Sequence, residues 1–109
     1  MPTTYKVLGQ SAPAATSDVS LYTVPSTTQT IVSTIVVANR ATSNATFRIA
    51  IRVNGASLAN SQYLAYDITV GASDSTALTL GITLGAGDII SIYASNANLT
   101  FTAFGSEIS

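Results

Sequence analysis

Polar and apolar residues alternate with a period of two along most of this chain. Residues 46–54 set Phe47, Ile49, Ile51 and Val53 against Arg48, Ala50 and Arg52. Such alternation marks a strand with one buried face. The preceding segment, residues 30–39, departs from it, because "IVVA" (Ile35, Val36, Val37, Ala38) offers apolar groups to both faces. A strand of that kind is expected to be covered twice. One face would meet an opposite sheet, and the other, with Val36, a second copy of the chain.

The same pattern divides the rest of the sequence. Residues 4–10 and 19–25 predict short strands, the first ended by the loop "SAPAATSD" and the second by Pro25. Residues 62–70 place Tyr63, Ala65, Asp67 and Thr69 opposite Leu64, Tyr66, Ile68 and Val70. "STALTLGITL" keeps Leu78, Leu80, Ile82 and Leu84 at strict period two and predicts one strand over residues 75–84. "IISIYAS" and the closing "LTFTAFGSEI" complete the series. Asn54-Gly55 is a turn signal, "ASLANS" a loop or single short turn, and Gly85 and Gly87 are expected at positive φ in a hairpin. No long window has a helical period. Seven to eight strands, with turns every ~8–12 residues, predict an all-β, single-domain antiparallel β-sandwich, jelly-roll-like, over residues 1–109.

Composition narrows the functions open to such a fold. A chain of 109 residues is one domain. It has no cysteine, histidine or tryptophan, and only 8% of its residues are charged, against about 25% in an average domain. Disulfides, thiolate ligands and the usual zinc ligand and neutral-pH base are therefore missing. The four basic residues, Lys6, Arg40, Arg48 and Arg52, are too few for nucleic-acid binding. No apolar run reaches the ~18–20 residues of a membrane-spanning helix. "MPTTYKVLG" lacks the basic and apolar regions of a secretory signal, so assembly without export is expected. The sequons at Asn44 and Asn98 then read as chance matches. A net charge of −1 with 47% hydrophobic residues leaves a surface of Ser, Thr, Asn and Ala. Such a surface is readily buried against identical copies.

Little catalytic chemistry fits. Asp18, Asp74 and Asp88 stand in turns, where a carboxylate normally accepts from nearby backbone N–H groups. Asp67 is mid-strand, and its expected partner is an arginine of a neighbouring strand or copy. Hydroxyl nucleophiles have no histidine beside them, and Lys6 is the only lysine. "GITLGAGD" lacks the Lys-Ser/Thr of a phosphate loop. Calcium at Asp74 or Asp88 would have one carboxylate per loop, which makes a weak site. No cofactor or metal is expected. The five tyrosines are expected with rings in the core and hydroxyls at its rim; a sugar-stacking surface is the alternative. Arg48 and Arg52 share a face roughly 13 Å apart. They are either solvated charges or contacts across an interface.

Several phrases carry a resemblance. "YKVLGQSAPAATS", "LYTVPSTTQTIVSTIVVANR", "FRIAIRVNGA", "QYLAYD", "LTLGITLGAGDIISIYAS" and "FTAFGSEIS" run across almost the whole chain. They resemble small virion structural proteins of tailed bacteriophages, particularly phages of cyanobacteria. The resemblance implies a non-enzymatic capsid decoration or cement protein, assembled in the bacterial cytoplasm and resident in the virion. It would form a homo-oligomer, a trimer by preference, bridging major capsid protein subunits. A tail, neck or baseplate adaptor and a carbohydrate- or receptor-binding module are the alternatives. The interface is expected at Arg48, Arg52, Val36, Tyr5, Phe104 and Ile108. Residues 1–10 and 104–109 are expected to reach a neighbouring protein.

Overall fold

The structure, a computed structural model, describes residues 2–109. Nine strands form two antiparallel sheets: β1 (Thr3–Ser11), β2 (Val19–Thr23), β3 (Gln29–Asn39), β4 (Ala45–Arg52), β5 (Tyr63–Val70), β6 (Ser75–Leu78), β7 (Ile82–Leu84), β8 (Ile89–Ala94) and β9 (Leu99–Ile108). Sheet A runs β1-β9-β3-β6, with β7 also paired to β3, and sheet B runs β2-β8-β4-β5. Counted as one broken strand, β6 and β7 fill a single position. The chain then has the eight-position winding of a jelly roll. The expected all-β sandwich is what the chain forms.

Alternation builds the core. Ile35 and Val37 of β3, Phe47 and Ile49 of β4, Ile90 and Ile92 of β8, and Leu99 and Phe101 of β9 are all almost completely buried. Removing each such side chain from water contributes ~1.5–3 kcal/mol. Phe47 and Phe101 meet edge-to-face across the two sheets, ring centroids 6.1 Å apart, a geometry that suits the ring quadrupoles.

The strand expected over residues 75–84 is broken. Gly81 takes φ +62° and Leu80 is 49% exposed, so the period-two run does not lie on one core face. Only Gly87 of the pair in the "GAGD" turn has positive φ, at 86°; Gly85 does not. Val53, expected on the core face of β4, is 63% exposed because the strand ends at Arg52 and the chain turns through Asn54 and Gly55, both left-handed.

Bulges reset which residues face inward. Between Phe47 and Ile49 of β4 stands Arg48 alone, but the facing β5 has both Tyr66 and Asp67 between Ile68 and Ala65. A second shift leaves Leu64 as an extra residue, so β5 has no single apolar face. Another bulge, between Val32 and Thr34, lets β3 pass β9 at Gly105. A Cβ on Gly105 would lie 2.0 Å from the Ile31 carbonyl oxygen, so only glycine fits there. Residues 104–108 belong to β9, which is paired on both sides, to β1 and β3.

Candidate interface surfaces

Three features stand out where side chains leave the core. The first is the outer face of sheet A. On β9 its outward positions are Thr100, Thr102, Phe104 and Ser106, and on β3 they are Ile31, Thr34, Val36 and Ala38. None is charged. The next cation along, Arg40, is folded back onto Thr100 Oγ1 at 2.9 Å and the Ala97 carbonyl at 3.1 Å. At one end of this face lies a groove of about 400 Å³ walled by Tyr5, Val7, Ile31, Ser33, Phe104 and Ser106, with Lys6 and Gly105. Tyr5, Val7 and Ile31 are exposed, Tyr5 by 82%. An aromatic ring that open to water beside other apolar groups is an interaction feature.

The second feature is the outer face of sheet B. The bulge in β5 turns Tyr66 and Asp67 toward the Arg48 side of the sheet. Arg48 Nε donates to Asp67 Oδ1 at 2.7 Å and Nη2 to Oδ2 at 3.4 Å. Its guanidinium carbon lies 4.2 Å from the ring centres of both Tyr66 and Tyr93. A planar cation between two aromatic faces gains from both ring quadrupoles. Tyr63 then meets Tyr66 edge-to-face at 4.9 Å. The hydrogen bond to Asp67 is the main reason the Arg48 pKa is raised. Arg52 is also engaged within the chain, donating to the Ala56 and Gly55 carbonyls at 2.7 and 3.2 Å.

The third feature closes one end of the sandwich. The Tyr22 hydroxyl donates to Glu107 and shares a 2.8 Å hydrogen bond with Thr30 Oγ1, while Lys6 Nζ pairs with Glu107 Oε1 at 2.8 Å. Lys6 and the Tyr22 hydrogen bond hold the Glu107 carboxyl below its ordinary pKa. Burial first, and the bond to Glu107 second, push the Tyr22 hydroxyl up to about 12. The network joins the sheets with polar groups that satisfy one another.

Of the six residues expected at an interface, four lie in the first two features, while Arg52 is bonded to its own turn and Ile108 lies apart. Tyr5 and Phe104 share the groove, Val36 lies on the same uncharged face, and Arg48 sits in the tyrosine cluster. Ile108 borders a second hollow with Thr28 and Gln29, of about 330 Å³. Of the five tyrosines, expected with rings in the core and hydroxyls at its rim, Tyr22 alone is buried, its hydroxyl bonded to Thr30 and Glu107. Asp74 and Asp88 accept from backbone N–H groups as their turn positions implied, Asp88 from Gly85 and Asn54 at 2.9 and 2.8 Å. Among the described residues, no three of His, Cys, Asp and Glu come together as a metal-holding group. Sequence reasoning missed the Tyr66–Arg48–Tyr93 stack, because it depends on a bulge that alternation does not encode. Against known proteins, no family model and no curated protein matches the chain.

Proposed function

We propose that this chain is a non-enzymatic structural protein of a tailed-phage virion. Its role is that of a capsid decoration or cement protein, which associates with itself and bridges major capsid subunits. The observation that carries this reading is the uncharged outer face of sheet A with its groove at Tyr5, Val7, Ile31 and Phe104. Burying such a face costs little charge desolvation, and its aromatic and aliphatic groups contribute area. Bound between subunits that otherwise meet over little surface, each copy adds buried area that opposes their separation. The phrase-level resemblance to small virion proteins supports the same reading. The jelly roll does not choose by itself, being shared by viral capsid, lectin and cupin domains.

The tyrosine cluster on sheet B favours carbohydrate binding less than its composition suggests. Tyr66 and Tyr93 each already present a face to Arg48, and a stacked sugar would have to use what remains.

Cosedimentation with capsids of the encoding phage, prepared without this protein, tests the proposal. Wild-type protein is expected to pellet with the capsids. Ile31→Lys, which puts a charge into the face at a position already 41% exposed, should stay folded and remain in the supernatant. Equal pelleting of both proteins would show that another surface is used, and no pelleting of wild type would remove the decoration role.

A further inference from the structure

The four sheet edges are not equally protected. β5 is interrupted by two register shifts and carries Asp67 at φ +54°. β6 and β7 are four and three residues long, and β2 is five residues long with a bulge. Shortness and bulges are the ordinary ways a protein blunts an edge. β1 is different. It is nine residues long, and its second half is shielded where it crosses β2: a Cβ on Gly9 would lie 2.3 Å from the Leu21 carbonyl oxygen. Its first half, Thr3 to Val7, pairs residue for residue with β9, without a bulge, and all five of its residues are exposed. Among the described residues no strand pairs with the other side of this stretch. Its outward backbone N–H and C=O groups form a template for a further strand.

We infer that Thr3 to Val7 is a self-association strand, which pairs antiparallel with the same stretch of a second copy about a two-fold axis at Tyr5. This inference concerns the chain in solution and does not rest on the virion reading. The register follows from the residues. Centring on Tyr5 uses the whole flat stretch and sets Tyr5 against Tyr5, Val7 against Thr3, and Lys6 against Thr4. Centring on Lys6 would oppose two lysines, which is destabilising. Pro2 accepts from the Ser109 N–H, so the outward backbone groups are those of Thr3, Tyr5 and Val7. Centring on Thr4 would pair Thr3 with Tyr5 but leave Val7 outside the paired stretch, whereas centring on Tyr5 engages all three.

Charge complementarity favours a second copy in this register. Thr4 has Glu107 as its neighbour on β9. Lys6 of the second copy, opposite Thr4, therefore falls in the same cross-strand row as Glu107. Each glutamate, already bonded to its own lysine, gains a second lysine on that row. The Tyr5 rings meet on the opposite face, continuous with the Phe104 groove. Two four-stranded paths then join as β6-β3-β9-β1-β1-β9-β3-β6. Because an isologous pair closes after two copies, the oligomer is a dimer and not the trimer suggested by the resemblance. A five-residue edge is small beside the ~1,200 Å² of a standard interface, so the pairing belongs to the micromolar range.

Sedimentation velocity on the full chain, from micromolar to submillimolar concentration, tests this directly. Wild type should shift to twice the monomer mass across that range. Tyr5→Lys and Tyr5→Glu, each placing like charges face to face, should remain monomeric alone and form a dimer when mixed. Circular dichroism should show both variants folded, since the side chain they replace is mostly in water. As a second route, Tyr5→Cys should oxidise to a disulfide-linked dimer, because antiparallel partners have Cα atoms ~4.5–5.5 Å apart. Thr83→Cys, on the far side of sheet A, should not. A wild-type monomer throughout, a trimer, or a dimer indifferent to both charge variants would overturn the inference.

Discussion

Arg48 and Asp67 meet because β5 has one residue more than β4 where they face each other. Two residues, Tyr66 and Asp67, stand opposite one, and Asp67 takes up the excess in a left-handed conformation at φ +54°. That conformation carries its carboxylate onto Arg48 at 2.7 Å. The ion pair and the bulge are therefore parts of one device: the strain sits at the residue that benefits from the contact.

Substitutions at Asp67 should separate the two parts. Asp67→Gly loses the ion pair but is at ease with positive φ, whereas Asp67→Ala loses the pair and keeps the strain. The alanine variant is expected to be the less stable by about 1 kcal/mol, read from urea-denaturation midpoints at equal m-value. Equal midpoints would mean that the bulge relaxes on substitution.

Glycine positions should differ sharply in what they tolerate. Gly105→Ala would drive a methyl group against the Ile31 carbonyl, and a loss of ~3 kcal/mol is expected as β9 and β3 separate locally. Gly85→Ala should change stability by less than ~0.5 kcal/mol. There the nearest atom to an added Cβ is Asp88 Oδ2 at 3.8 Å, and φ is not positive. Thermal melts of the two variants side by side give the answer.

The Tyr22–Glu107–Lys6 end should make stability fall at both extremes of pH. The Glu107 pKa is lowered in the folded chain, so its contribution is complete above the ordinary value of 4.5 and is lost as pH falls below it. Tyr22 is raised from 10.0 to about 12, so folding favours the neutral hydroxyl. That contribution is complete below pH 10.0 and is lost as pH rises toward about 12. Tyr22→Phe should flatten the alkaline limb and cost ~1–2 kcal/mol at neutral pH, by leaving Thr30 and Glu107 short of a partner. Glu107→Gln should flatten the acid limb. Chemical denaturation across the pH range measures both, and unchanged limbs in both variants would contradict the linkage.

Strand positions were legible because alternation is a local property. The alternation in residues 99–108 marks β9 to the residue, and Phe47, Ile49 and Ile51 of β4 turn inward as expected. Asp67 announced an arginine partner by being an acid in mid-strand. The bulges opposite Arg48 and at Gly105 were not legible, since a bulge depends on the register of two strands and not on one. That is why the tyrosines were misplaced: Tyr66 leans over Arg48 through a bulge, and Tyr5 lies on an edge that no local pattern identifies. "IVVA" was half explained. Ile35 and Val37 fill the core, and Val36 and Ala38 belong to the uncharged outer face.

On the proposed reading this chain coats a phage capsid through that outer face. Cryo-electron microscopy of intact particles of the encoding phage tests it most directly, giving location, copy number and contacting surface together. The expected result is hundreds of copies on the head, with Ile31, Val36 and Phe104 against the major capsid protein. Density confined to the tail in multiples of three or six, or a head-bound copy with sheet A facing solvent, would contradict it.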